Sequence, residues 1–182
     1  MIYYCDVIET MEGKSKELHK EYHDNGYGFP IHDDNELFGR LILEINQAGL
    51  SWETILKKQH GFRKAFDGFD IAKLANYGEE DRARLLADAG IIRNRLKVDA
   101  VIYNAGVILG LQKEFGSFEA WIDAHHPRTK DEWVKLFRKH FKFVGGEIVN
   151  EFLVSTGYLP GAHKESCPIF HKTLKARPKW KE

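Results

Sequence analysis

The sequence predicts an all-α protein, and three observations carry that reading. Apolar residues recur at helical spacing, short Gly, Asn or Asp breaks punctuate the runs, and no period-2 alternation lasts long enough to argue for a sheet. Asp33 can cap a helix whose third residue is Glu36, a capping-box variant. Leu37, Leu41, Glu44 and Ala48 then follow one face until Gly49 ends it. Across a tight turn, Ser51 is a favourable N-cap and Glu53 suits a positive helix end, so Trp52 to Gln59 reads as a short helix stopped by Gly61. Glu79 to Ala89 reads as helix closed by Gly90, and a further pattern runs from about Asn94 through Val98, Val101, Ile102 and Ala105 to Leu111. Phe118 to Ala124, Glu132 to His140 and Glu147 to Thr156 complete the set. Gly157 to Cys167 reads as loop, with Pro160 and Gly161 as breakers, and Lys172 to Glu182 as a loosely ordered basic tail.

The length of 182 residues suits a single domain over 1–182, and 43% hydrophobic with 30% charged residues excludes disordered and collagen-like classes. The uncharged stretch Ala100 to Leu111 is too short to span a bilayer. Met1 to Asp6 has no basic region followed by an apolar run, so a cytoplasmic protein is expected. There, Cys5 and Cys167 are candidates for metal ligation or burial rather than a disulfide. Lys plus Arg and Asp plus Glu both total 27, so no global field attracts nucleic acid and any such binding is local. Basic groups do cluster, at Arg93, Arg95 and Lys97, at Lys135 to Lys142, and at Lys172 to Lys181. Each is also compatible with a solvated helix face.

Four features could carry chemistry. Glu44 falls on the same face as Leu37 and Leu41, the face that should be buried, so it must be protonated, paired with a cation or open to a pocket. Tyr22, Tyr27, Phe29 and Trp52, with Tyr3 and Tyr4, gather in the same part of the chain around His23, Asp24 and Asn25. Aromatic walls beside one carboxylate suit a flat cationic or electron-poor ring, although aromatics are also ordinary core residues. His163 and Cys167 have the spacing of two zinc ligands on one turn, and Cys5 and His23 could complete a Cys2His2 site. Between two helices, Gly90-Ile91-Ile92-Arg93 is either an ordinary αα-hairpin or a turn whose amides face a phosphate.

These residues together carry a resemblance. Tyr22-His23-Asp24-Asn25, Gly28-Phe29-Pro30, Leu37-Phe38, and Leu43-Glu44 through Gln47-Ala48-Gly49-Leu50-Ser51-Trp52 resemble the DNA-3-methyladenine glycosylase I family. Asp88 to Arg95, Lys97, Asn104-Ala105 and Phe141-Lys142-Phe143-Val144-Gly145 follow in the family's order. The resemblance implies a helix-hairpin-helix glycosylase fold with a zinc staple joining the N- and C-terminal segments. It also implies a monofunctional enzyme that flips 3-methyladenine out of double-stranded DNA and hydrolyses its glycosidic bond. Residue by residue, it implies Glu44 and Tyr22 as base contacts, Trp52 and Tyr27 as pocket walls, and Zn2+ on Cys5, His23, His163 and Cys167. Gly90, Arg93 and Arg95 would meet the DNA backbone, Leu50 would fill the gap in the stack, and the protein would act as a monomer. Methylation at N3 makes the base cationic and its bond to the sugar weak, so little acid catalysis is required and no separate general base is assigned.

The chain departs from the family pattern at several places. Val7 stands where the family has a Trp two residues after the N-terminal Cys, Gly26-Tyr27-Gly28 replaces Glu-Trp-Gly, His19 replaces a Tyr, and Leu96 replaces a common hairpin glycine. The Cys5 to His23 segment is longer than usual. A roomier or less aromatic pocket is expected from these changes unless Tyr3 or Tyr4 supplies the lost face. The alternative reading is a catalytically weakened, zinc-stapled DNA-binding module, which Val7 favours and Glu44, Tyr22 and Trp52 oppose. A plain helical interaction domain leaves Glu44 beside Trp52 unexplained.

Overall fold

The computed structural model describes residues 2–182. Among the described residues the secondary structure is helical throughout, with no strand. The helices in order are α1 (Tyr4–Glu9), α2 (Gly13–Asn25), α3 (Asp34–Gln47), α4 (Trp52–Lys57), α5 (Gln59–Ala65) and α6 (Ile71–Ala75). They continue with α7 (Glu79–Ala87), α8 (Arg95–Phe115), α9 (Phe118–His125), α10 (Lys130–His140), α11 (Gly146–Ser155) and α12 (Pro168–Lys175). Short 3-10 turns lie at Asp67–Phe69 and Lys179–Lys181.

The architecture is organised around α3, which touches α4, α5, α6, α8, α9 and α11. Asp33 starts it as expected, its Oδ1 accepting from Glu36 N–H at 2.9 Å. Asp34 then binds the next layer, accepting from Gln112 Nε2 at 2.7 Å and from Phe118 N–H at 2.8 Å. The amphipathic stripe read from the sequence is too narrow a description, because Leu37 to Asn46 is buried on almost every side, Arg40 alone excepted. Leu37, Phe38, Leu41, Ile42 and Ile45 are fully buried, a gross contribution on the order of 10 kcal/mol before conformational entropy is counted.

Two local expectations are corrected. Gly61 does not stop a helix: the chain breaks one turn earlier, at Lys58, and Gly61 lies inside α5. Its missing side chain has a different use, since a Cβ there would lie 2.2 Å from the Gly90 carbonyl oxygen, so only glycine lets α5 press on the turn between α7 and α8. Nor is the segment from Lys172 onward a loose tail. It finishes α12, buries Thr173 and Pro178, and returns through Trp180, whose N–H donates to Gly157 O at 3.1 Å. Gly157 accommodates this return, because a Cβ on it would meet Pro178 at 3.1 Å.

Gly61→Ala is expected to lower thermal stability. Displacing a backbone carbonyl costs about 1–3 kcal/mol, which outweighs the better helix propensity of Ala and corresponds to roughly 2–12 °C in Tm. A thermal melt with Tm at or above the parent value contradicts the close approach.

Candidate active site

The site forms where α3 and α11 face each other beneath α1, α2 and α4. Arg40 and Glu44 are one turn apart on α3, and Glu151 and Ser155 are one turn apart on α11, so each pair shares a face. Arg40 Nη1 donates to Ser155 O at 3.3 Å, to Gly26 O at 3.4 Å and to the Tyr22 hydroxyl at 3.2 Å. With Arg40 set against Ser155, Glu44 faces the Glu151 end of α11.

Glu44 is 4% exposed, and burial pushes its carboxyl up to about 8. The nearby charge of Glu151 adds to this, Arg40 opposes it, and no hydrogen bond contributes. A carboxyl so placed is a strong acceptor lacking a donor, in a wall of rings. Tyr22 lies 5.1 Å from Trp52 and 5.6 Å from Tyr27, centroid to centroid. The indole N–H of Trp52 is buried and has no hydrogen-bond partner. Burial holds the Tyr22 and Tyr27 hydroxyls well above their ordinary range.

The fourth ring is Tyr4. It lies 5.2 Å from Tyr27 and 6.2 Å from Tyr22, and its hydroxyl is 2.5 Å from His19 Nδ1. Val7, by contrast, is 38% exposed. Of Tyr3 and Tyr4, it is Tyr4 that joins the cluster, and with His19 it forms a pair that no local pattern anticipates.

Cys5, His23, His163 and Cys167 are all buried, and their donor atoms lie within 4.8 Å of one another. Cys5 Sγ is 3.3 Å from His23 Nε2 and 3.6 Å from His163 Nδ1, and the two histidine nitrogens are 3.1 Å apart. Cys167 Sγ is 3.8 Å from His23 Nε2 and 4.0 Å from His163 Nδ1. A tetrahedral zinc with ordinary bond lengths needs donor separations of about 3.3–3.8 Å, and the observed 3.1–4.0 Å lie within a few tenths of an ångström of that range. Each imidazole is also oriented from its far side: His23 Nδ1 donates to Asp24 Oδ1 at 2.7 Å, and His163 Nε2 donates to Tyr27 O at 2.8 Å. Two bare lone pairs are thereby aimed at each other, an arrangement that calls for a cation between them. Gly28, at φ +85°, makes room for this loop, since a Cβ there would meet Ala162 at 2.7 Å.

Between α7 and α8 the chain makes a tight turn anchored by buried Ile91. The Gly90 N–H is already taken by Asp88 Oδ1 at 2.7 Å, so that amide does not point outward to a ligand. Arg93 and Arg95 are exposed, and Asn94 caps α8 through Lys97 N–H at 3.1 Å, leaving the Arg95 and Leu96 amides as the free donors of the first turn. Lys97 is not part of an exposed basic patch. It is buried, and its ammonium donates to Asn46 O and Ala48 O at 2.7 Å each, capping the C-terminus of α3. Leu50, 40% exposed, follows that cap directly.

Sequence reasoning missed Arg40, Glu151 and Lys97 as parts of this site. Arg40 carried a usable signal, a charge one turn from Glu44 on a buried face, whereas Glu151 had none because nothing local pairs α11 with α3.

The raised carboxyl of Glu44 makes stability depend on pH. The folded chain keeps a proton that the unfolded chain loses near pH 4.5, so stability falls as pH rises from about 4.5 through about 8. Glu44→Gln removes this term and is expected to melt above the parent, with a gain that is small near pH 5 and largest above pH 8. A gain independent of pH contradicts the burial argument.

Comparison with known proteins agrees with this geometry. Residues 12–135 match the family model described as methyladenine glycosylase. The chain is 37% identical over 169 residues to DNA-3-methyladenine glycosylase 1 of Escherichia coli (strain K12), covering 82% of this chain and 90% of that protein. It is 33% identical over 172 residues to DNA-3-methyladenine glycosylase of Haemophilus influenzae, covering 84% and 92%. A solved 3-methyladenine DNA glycosylase I from Staphylococcus aureus, reported for its recognition of 3-methyladenine, superposes with a TM-score of 0.79 at 30% identity, covering 89% of this chain and 94% of that one. A buried carboxylate walled by aromatic rings, beside a buried Cys2His2 cluster, thus lies in a chain that belongs to the methyladenine glycosylase family.

Proposed function

We infer that this chain is a DNA glycosylase of base excision repair that hydrolyses the N-glycosyl bond of 3-methyladenine. The observation that carries the reading is Glu44, a buried carboxyl with no hydrogen-bonding partner, set among rings in a member of this family. Such a group gains most from a flat cation, which supplies both charge and a stacking face.

In this reading Tyr22 and Trp52 sandwich the flipped base. Two faces need to be about 7 Å apart to take a ring between them, and here they are 5.1 Å apart at 53°, so Trp52, at the half-buried rim, turns aside on entry. Its unpartnered indole N–H then becomes available to the base. Glu44 ionises against the cationic ring and holds it, while Tyr27 and Tyr4 close the wall. The bond from C1′ to the base breaks with its electron pair moving onto the base, which becomes neutral. Water adds at C1′ and gives up a proton to solvent, and no residue is assigned as a general base. Arg93, Arg95 and the first-turn amides of α8 meet the phosphates of double-stranded DNA, and Leu50 enters the vacated stack. Gly90 serves that turn by its close fit to α5 rather than by its amide.

The Cys2His2 group is read as a structural Zn2+ site. Bound zinc would fill a closed tetrahedron and supply folding energy rather than reaction chemistry. Its effect on the pocket runs through His163, which holds the Tyr27 carbonyl. The chain acts as a cytoplasmic monomer in this reading; no described helix is long and apolar enough to cross a membrane. Exposed Val7 with Tyr4 in the wall weighs against the alternative of a DNA-binding module with failing catalysis.

Purified protein incubated with methylated DNA is expected to release 3-methyladenine, detected by chromatography. Glu44→Gln is expected to fold and bind DNA but to excise on the order of 100-fold more slowly, as for loss of one preorganised electrostatic contact. Undiminished release by the folded variant removes Glu44 from the mechanism.

Metal analysis of protein prepared without added zinc is expected to give one zinc per chain, and Cys167→Ala to lose both the metal and several degrees of Tm. A metal-free parent of equal stability overturns the zinc assignment.

A further inference from the structure

Glu151 is a second acidic group at the slot that the mechanism above does not use. It reaches the site from α11 through the register already described, Arg40 against Ser155 and, one turn along each helix, Glu44 toward Glu151. It is half-buried, its Oε2 accepting from the Tyr27 hydroxyl at 3.3 Å and its Oε1 lying 3.5 Å from Asn150 Nδ2. Its charge is felt by Glu44, Tyr22 and Tyr27 alike.

The charge of Arg40 acts on Glu44 and that of Lys130 on Glu151, but both cations are committed to other partners. The Nη1 of Arg40 is spent on the Tyr22 hydroxyl and two carbonyls. Lys130, at the start of α10, is bonded to Glu147 at 2.9 Å. Among the described residues no ion pair is made by Glu44 or Glu151. Two acids facing one slot, neither in an ion pair, favour a cationic guest. The walls are rings rather than oxygen ligands, so the guest is a flat organic cation and not a metal ion.

We propose that Glu151 is a specificity-determining residue of this site, doubling its acidic wall so that the slot holds an alkylated base as its cation and releases it once cleavage has made it neutral. The proposal rests on the excision reading above. Bond cleavage moves the glycosidic electron pair onto the base and cancels its charge, so neither acid has a cation left to hold. The attraction that favoured the substrate is then lost at the moment the product forms, and the product leaves a site that would otherwise keep it by stacking.

The test is calorimetric titration at pH 7.5 with two probes, 3,9-dimethyladenine, which is a cation at this pH, and neutral 3-methyladenine. The parent is expected to prefer the cation. Glu151→Gln, which keeps a partner for the Tyr27 hydroxyl, is expected to lower that preference about tenfold, with affinity for the neutral base unchanged or tighter. Product inhibition by free 3-methyladenine during excision should strengthen accordingly. Glu151→Asp, which keeps the charge, is expected to retain most of the preference. A preference unchanged in Glu151→Gln, or lost equally in both variants, overturns the assignment while leaving excision by the parent intact. A parent that releases no base and binds neither probe overturns the excision reading itself, and this proposal with it.

Discussion

The structure depends on carrying one carboxylate through the middle of a helical core. α3 is buried from Leu37 to Asn46 with the exception of Arg40, so its polar groups have to be answered by neighbours rather than by water. Asp33 caps its start, Asp34 ties that start to α8 and α9, and the buried ammonium of Lys97 closes its last carbonyls. Asn46 donates back to Ile42 O at 2.8 Å. Glu44 is left without a donor in a helix fixed at both ends. Such a position lowers stability and is retained where binding or chemistry needs it.

The Cys2His2 cluster and the ring wall are one construction. Tyr4 precedes Cys5, Tyr22 precedes His23, and the Tyr27 carbonyl is bonded to His163, so three of the four rings are set by a member of the Cys2His2 cluster or its neighbour. Drawing those four positions together fixes α1 and α2 against the loop before α12 and thereby forms the wall above Glu44. Lys97 makes a comparable link on the other side. Because it caps α3 just before Leu50, the turn carrying Leu50 and the helix carrying Glu44 share one anchor.

The helices with strong apolar periodicity and good caps were legible in the sequence, α3, α4 and α8 above all, because local chemistry alone sets them. α2 was not. Its buried residues are His19, Tyr22 and His23, a narrow stripe of polar and amphipathic side chains that hydrophobic periodicity does not register. α12 was lost for a related reason, with Thr173 as its buried residue and lysines around it. Glu44 stood out because a charge on an apolar face contradicts its surroundings, and the four Cys and His positions stood out by residue type. Arg40, Glu151 and Lys97 act through tertiary pairings, α3 with α11 and α3 with α8, that no local pattern encodes. Gly61 was misread as a stop because its use, contact with Gly90, lies in another helix.

The claim at the centre of this account is that Glu44 rests as a neutral acid and ionises against a cationic base. Carbon-13 NMR of carboxyl-labelled glutamate, assigned by comparison with Glu44→Gln, measures this directly. In the free protein the Glu44 signal should titrate near pH 8, well above the exposed glutamates, and on saturation with 3,9-dimethyladenine it should show the ionised shift already at pH 6. A Glu44 signal titrating near pH 4.5 in the free protein, or one indifferent to the bound cation, would contradict the account.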